Sequence, residues 1–124
     1  MIVHGADAGA IYANAAFALA DLICDADAVA PREERAVQAT GADLAETVVR
    51  LMNALLYLVD ADRLVLPHLE VAEATPTSVR GVARGEPLDT ARHGFKGALK
   101  AATYHDLAVW QAEGGLRVRV VLDV

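Results

Sequence analysis

Aromatic residues are scarce in this chain of 124 residues, at 5% of the total, and there is a single cysteine. With so few large rings, the core must rest on Leu, Val and Ile. The apolar share is 55%, but 26 residues are alanine, which buries little surface, so the figure overstates the core. Cys24 has no partner for an internal disulfide, and no cysteine pair offers a zinc site. Its position near an expected helix end suits packing. No run approaches the length of a membrane span, and no charged, apolar and small-residue order follows Met1 as in a secretion signal. The expected compartment is the cytoplasm. Basic residues are outnumbered, leaving a net charge of −6 and a pI near 5.0. Such a surface repels phosphate backbones, so no stable direct binding of nucleic acid is expected. A basic protein or a metal cation fits it better, although many ordinary soluble proteins are equally acidic.

What remains is patterned. After a short apolar stretch from Met1 to His4, Asp7 opens a helical period in which Ile11, Ala15, Leu19 and Leu22 share a face widened by Tyr12, Ala16 and Ile23. Asp7 is placed to accept from free amides of the first turn. This helix is expected to run to about Ile23, followed by a connector to Pro31 and a strand from Glu34 to Thr40. Asp43, with Glu46 three residues on, begins a second helix reaching about Val59. Leu44, Val48, Leu51, Leu55 and Leu58 line one of its faces, and Met52, Leu56 and Val59 broaden it.

Beyond Leu64 the period becomes two. Two strands are expected around the turn Thr75-Pro76-Thr77, then a polar stretch from Gly85 to Gly97. Strands follow at Ala98 to Tyr104, Leu107 to Gln111 and Leu116 to Val124, the last two joined by Glu113-Gly114-Gly115. In the final strand Leu116, Val118, Val120 and Leu122 face one way, and Arg117, Arg119, Val121 and Asp123 the other. Helices ahead of a run of strands imply an α+β domain over residues 1–124, with two helices packed on one face of a mostly antiparallel sheet.

The densest chemistry lies in Gly85-Glu86-Pro87-Leu88-Asp89, Arg92-His93, Lys96 and Lys100-Ala101-Ala102-Thr103-Tyr104-His105. Its cations could hold phosphate or a partner's carboxylates, or could simply be a solvated loop beside a strand. Lys100, Ala102 and Tyr104 should share one sheet face. His93 and His105 with Asp123 could in principle form a general-base or metal triad, but no nucleophile motif, phosphate loop or cysteine cluster accompanies them.

These tracts resemble the archease family, whose pattern is G-E-x-x-D-x-x-R-H-x-x-K, then K-A-V-T-Y-H, then a last strand ending in an acidic and an aliphatic residue. Here the corresponding residues are Gly85, Glu86, Asp89, Arg92, His93 and Lys96, then Lys100 to His105 with Ala102 in place of valine, then Leu122-Asp123-Val124. Leu51-Met52-Asn53-Ala54-Leu55-Leu56-Tyr57 is similar to the family's second helix. The resemblance implies a protein cofactor of the RtcB-type tRNA-splicing RNA ligase, promoting its guanylylation and repeated turnover without catalysis of its own. It implies partner contacts at Arg92, His93, Lys96, Lys100, Tyr104 and His105, and a divalent cation, calcium by resemblance, at Asp123 and Val124. A chaperone-like modulator of another RNA-modifying enzyme, such as a methyltransferase, is the alternative, with a small metal-dependent hydrolase behind it.

One departure bears on the metal. The family opens with H-T-A-D in its first strand, whose aspartate is a ligand, and a glycine and the first helix follow about ten residues later. Here Gly5-Ala6-Asp7 leads straight into Ile11-Tyr12-Ala13-Asn14-Ala15-Ala16, matching that later glycine and helix. On this register H-T-A-D is missing, Met1 lies inside the first strand, and the natural start is expected upstream. A second register sets His4-Gly5-Ala6-Asp7 on H-x-A-D, at the cost of deleting the intervening strand and turn. With two acidic groups in place of three, cation binding is expected to be weak.

Overall fold

The structure, a computed structural model, describes residues 1–124. In chain order it comprises β1 (Ile2–Gly5), α1 (Ala8–Ile23), a short 3-10 turn (Ala26–Ala28), β2 (Glu33–Thr40), α2 (Leu44–Asp62), β3 (Leu64–Thr75), β4 (Ser78–Pro87), β5 (Ala101–Ala112) and β6 (Gly115–Asp123). The α+β class is as expected. The strands divide into two sheets of three, ordered β1-β6-β5 and β2-β4-β3, and every pairing is antiparallel.

Both helices begin as their sequences dictate. The Asp7 carboxylate accepts from the Ala10 amide at 2.9 Å, and Asp43 accepts from Glu46 at 2.9 Å while Glu46 accepts from Ala42 at 3.3 Å. Their apolar faces meet the inner faces of both sheets. Ile11, Tyr12, Leu19, Val48, Leu51 and Met52 join Val3, Val118 and Val120 of one sheet and Val37, Leu66 and Val79 of the other in one buried cluster. Leu22 departs from expectation and is exposed. The buried stripe of α1 centres on Tyr12, Leu19 and Ile23, and Leu22 falls at its border in the last turn. Cys24 is buried where α1 ends, and burial pushes its thiol pKa up, which suits packing and opposes reactivity.

Two of the irregularities in the ladders flank the polar stretch between β4 and β5 or interrupt β5 itself. The ladder between β3 and β4 shifts register between Val65 and His68. There Gly85 lies so close to Val65 that an added Cβ would overlap the Val65 carbonyl oxygen. Gly85→Ala should therefore cost about 3 kcal/mol of stability, read as a lower urea midpoint. The second irregularity interrupts β5, where Thr103 pairs with Val121 but the next paired residue, Ala108, faces Arg119. The two strand pieces expected from sequence are thus one strand with a bulge. Asp106 takes the left-handed conformation there, with φ of 52°, and the Thr103 hydroxyl accepts from the His105 amide at 3.3 Å.

Candidate functional site

Glu86 ends β4 pointing inward, and the polar stretch after it folds back around its carboxylate. Although ionisable, Glu86 is only 1% exposed. Its Oε1 accepts from the Ala30 amide at 2.9 Å, from Arg92 Nη2 at 2.8 Å and from His93 Nε2 at 2.8 Å. Arg32 stands farther off, 3.9 Å from Oε2. The hydrogen bond from Arg92, then those from Ala30 and His93, hold the Glu86 pKa at about 2, against an opposing contribution from burial. His93 Nδ1 accepts from the Asp89 amide at 2.9 Å, so the ring proton sits on Nε2 and is donated to Glu86. The Asp89 carboxylate accepts from the amide of Arg92 and, with a smaller effect, from that of Ala91, which lowers its pKa against the opposing effect of desolvation.

This arrangement corrects one expectation. His93 is 0% exposed and has no surface to offer a partner. Its ring, committed at both nitrogens, fixes the loop between β4 and β5. Backbone bonds seal the loop to the end of α1, from Asp25 to the His93 carbonyl at 2.7 Å and from Lys96 to the Ile23 carbonyl at 2.7 Å. A triad of His93, His105 and Asp123 is not formed, because His93 is enclosed by Glu86 and Asp89. The hub itself, Glu86, belongs to the tract of densest chemistry, but the sequence assigns it no role of its own. The signal available was an acid followed six and seven residues later by Arg and His within a loop rich in cations.

The other expected residues lie at the surface. Arg92 is half exposed and bridges Glu86 and Asp89. Lys96 Nζ donates to the Asp21 carbonyl at 2.8 Å. Lys100 donates its backbone amide to the Asp123 carbonyl at 2.8 Å, so these two residues adjoin at the end of β6. Tyr104 overhangs a polar cleft of about 680 Å³ lined in part by Gln38, Arg50, Glu73 and Arg80. Asn53 brackets β5 beside it, donating to the Ala102 carbonyl at 3.1 Å and accepting from the Ala102 amide at 2.8 Å. His105 is exposed in the bulge, 3.2 Å from the Asp106 carboxylate.

Asp123 and Val124 are both exposed at the β6 terminus. No group of three His, Cys, Asp or Glu side chains converges anywhere to hold a metal ion. The second register of the first strand does not repair this. β1 runs antiparallel to β6 with Gly5 opposite Leu116, so Asp7 lies near the far end of β6 from Asp123. Seven residues of strand at roughly 3.3 Å each separate Leu116 from Asp123. Asp7 is also occupied as the cap of α1. Two carboxylates at a strand end do not make a complete site for a hard cation, which wants six or more oxygens. Calcium should accordingly bind this chain with a Kd no tighter than about 1 mM. Titration calorimetry checks this, and micromolar binding would contradict it.

The sequence profile of the Archease protein family (MTH1598/TM1083) matches residues 1–124. The chain is 40% identical over 114 residues to the protein archease of Methanopyrus kandleri, spanning 90% of this chain and 81% of that protein. It is 31% identical over 127 residues to the protein archease of Methanosarcina mazei, spanning 99% and 87%. Among solved structures, protein 1598 of Methanobacterium thermoautotrophicum matches with a TM-score of 0.72 at 24% identity, over 99% of this chain and 88% of that one. A Thermotoga maritima protein described as an archease and possible chaperone matches with a TM-score of 0.67 at 14% identity, over 100% and 88%. At these identities the two structures speak for the fold, while the profile and the sequence relatives speak for descent. The chain belongs to the archease family.

Proposed function

We propose that this protein is a non-catalytic cofactor of an RtcB-type tRNA-splicing RNA ligase, promoting guanylylation of the ligase and its repeated turnover. The observation that carries the reading is the family match over residues 1–124, which includes the whole tract from Gly85 to His105 and the acidic end at Asp123. In this reading the buried Glu86–Arg92–His93 cluster is scaffolding. The working surface consists of the exposed groups of this tract, Lys96, Lys100, Tyr104 and His105, together with Asp123. Arg92 contributes through its exposed edge. Asp123 and the Val124 carboxylate offer two acidic groups to a cation or to a basic residue of the ligase. Manganese and GTP chemistry belongs to the ligase, and both proteins work in the cytoplasm. Co-purification of tagged chain with its cognate ligase, followed by a count of RNA joining events per ligase molecule, tests the proposal. More than one event per ligase only when the chain is present is the expected result.

The Thermotoga protein's description as a possible chaperone favours a second reading, a chaperone-like modulator of another RNA-modifying enzyme such as a methyltransferase. Recovery of such an enzyme in place of the ligase would favour it.

A further inference from the structure

The two sheets treat their arginines differently. On the sheet containing β2, β3 and β4, Arg80 meets Glu73 at 2.8 Å, Arg84 meets Glu70 at 2.9 Å and Glu34 at 3.3 Å, and Arg35 meets Asp62 at 3.8 Å. On the other sheet, Arg117 and Arg119 of β6 form no ion pair with any carboxylate. Arg117 donates to the carbonyls of Leu116 and Glu113, each at 3.0 Å, and Arg119 to the carbonyl of Asp106 at 3.0 Å. Carbonyls orient a guanidinium without neutralising it. In a chain of net charge −6, two adjacent arginines left without a counter-charge stand out.

Their surroundings are those of an interface. Directly opposed residues of antiparallel strands share a face. Arg117 therefore stands between His4 of β1 and Trp110 of β5, and Arg119 between Ile2 and Ala108. The helices cover the opposite side, where Val3, Val118 and Val120 are buried. Ile2 is 50% exposed and Trp110, the only tryptophan, is 38% exposed. Tryptophan and arginine are the residue types that most often dominate binding energy at protein interfaces. Asp123 closes the same face at its far end, by the alternation of β6.

From this juxtaposition we infer that the outer face of the β1-β6-β5 sheet is the docking surface, and that its occupant is a carboxylate-rich surface of the partner protein, which pairs with Arg117 and Arg119 around Trp110. The inference rests on the reading of the chain as a protein cofactor. It moves the centre of contact away from the Arg92 to Lys96 segment, whose cations are engaged within the molecule.

Two measurements test it. In the first, tryptophan emission is followed while a poly-glutamate peptide is added to the intact chain. A saturable change at low salt, lost in the double variant Arg117→Glu/Arg119→Glu but kept in Arg80→Glu, supports the inference. No change, or equal change in the double variant, overturns it. In the second, affinity for the cognate ligase is compared. The double variant should bind at least about a hundredfold more weakly and Trp110→Ala about tenfold more weakly, with unchanged circular dichroism. Ligase binding by the double variant equal to wild type overturns the surface and leaves the proposed function standing. A peptide response without any ligase binding upholds the surface and overturns that function. Salt-sensitive self-association or RNA binding through the same residues, in place of the peptide response, also overturns the inference.

Discussion

Glu86→Ala is expected to lower the midpoint of thermal unfolding by about 10 °C. The carboxylate receives hydrogen bonds from Ala30, Arg92 and His93 at a site closed to solvent. Removing it leaves the buried His93 ring and the Ala30 amide without an acceptor and frees the loop that seals α1, at a cost of about 3 kcal/mol. In a domain of this size each kcal/mol moves the midpoint by roughly 4 °C. The pH dependence has a definite sign. Glu86 is held at about 2, below its ordinary 4.5, so its contribution is fully present above the unfolded value and is lost as pH falls through the folded one. Between pH 5 and pH 2 the wild type should lose more stability than Glu86→Ala. Parallel acid profiles for the two proteins would contradict this account of the loop.

Under the proposed function, Asp123→Asn is expected to lose about tenfold or more of the stimulation of the ligase. Asparagine keeps the side-chain size and removes the charge that a cation or a basic ligase residue would require. Asp123 is held in the fold through its backbone, its carbonyl accepting from Lys100 and its strand position pairing with Ala101, and the substitution leaves the backbone intact. Stability should change by no more than about 0.5 kcal/mol, as unfolding in urea would report. A variant as active as wild type would remove the acidic tip from the working surface.

Most of the fold could be read from local signals. Asp7 and Asp43 declare helix starts because a short acid before an apolar period has one obvious use. The alternation in β6 fixes which of its residues meet the helices. The division into two sheets was not legible, since strand order depends on long-range pairing and leaves no local trace. Nor was the bulge in β5, which turns on a non-glycine residue, Asp106, in the left-handed conformation. The site was legible as a tract of residues but not as roles. Arg92 and His93 are neighbours in sequence, yet the side chain of one reaches solvent and the other is sealed against Glu86. Burial of a histidine is decided by how the loop closes on α1, which no spacing rule encodes.

The most direct test of the functional proposal is the rate at which guanylate becomes covalently attached to the cognate ligase, with GTP and manganese, in the presence and absence of this protein. Faster attachment and continued turnover are expected when the protein is added, with the gain largely removed in Asp123→Asn. An attachment rate and turnover unchanged by the wild-type protein would contradict the proposal.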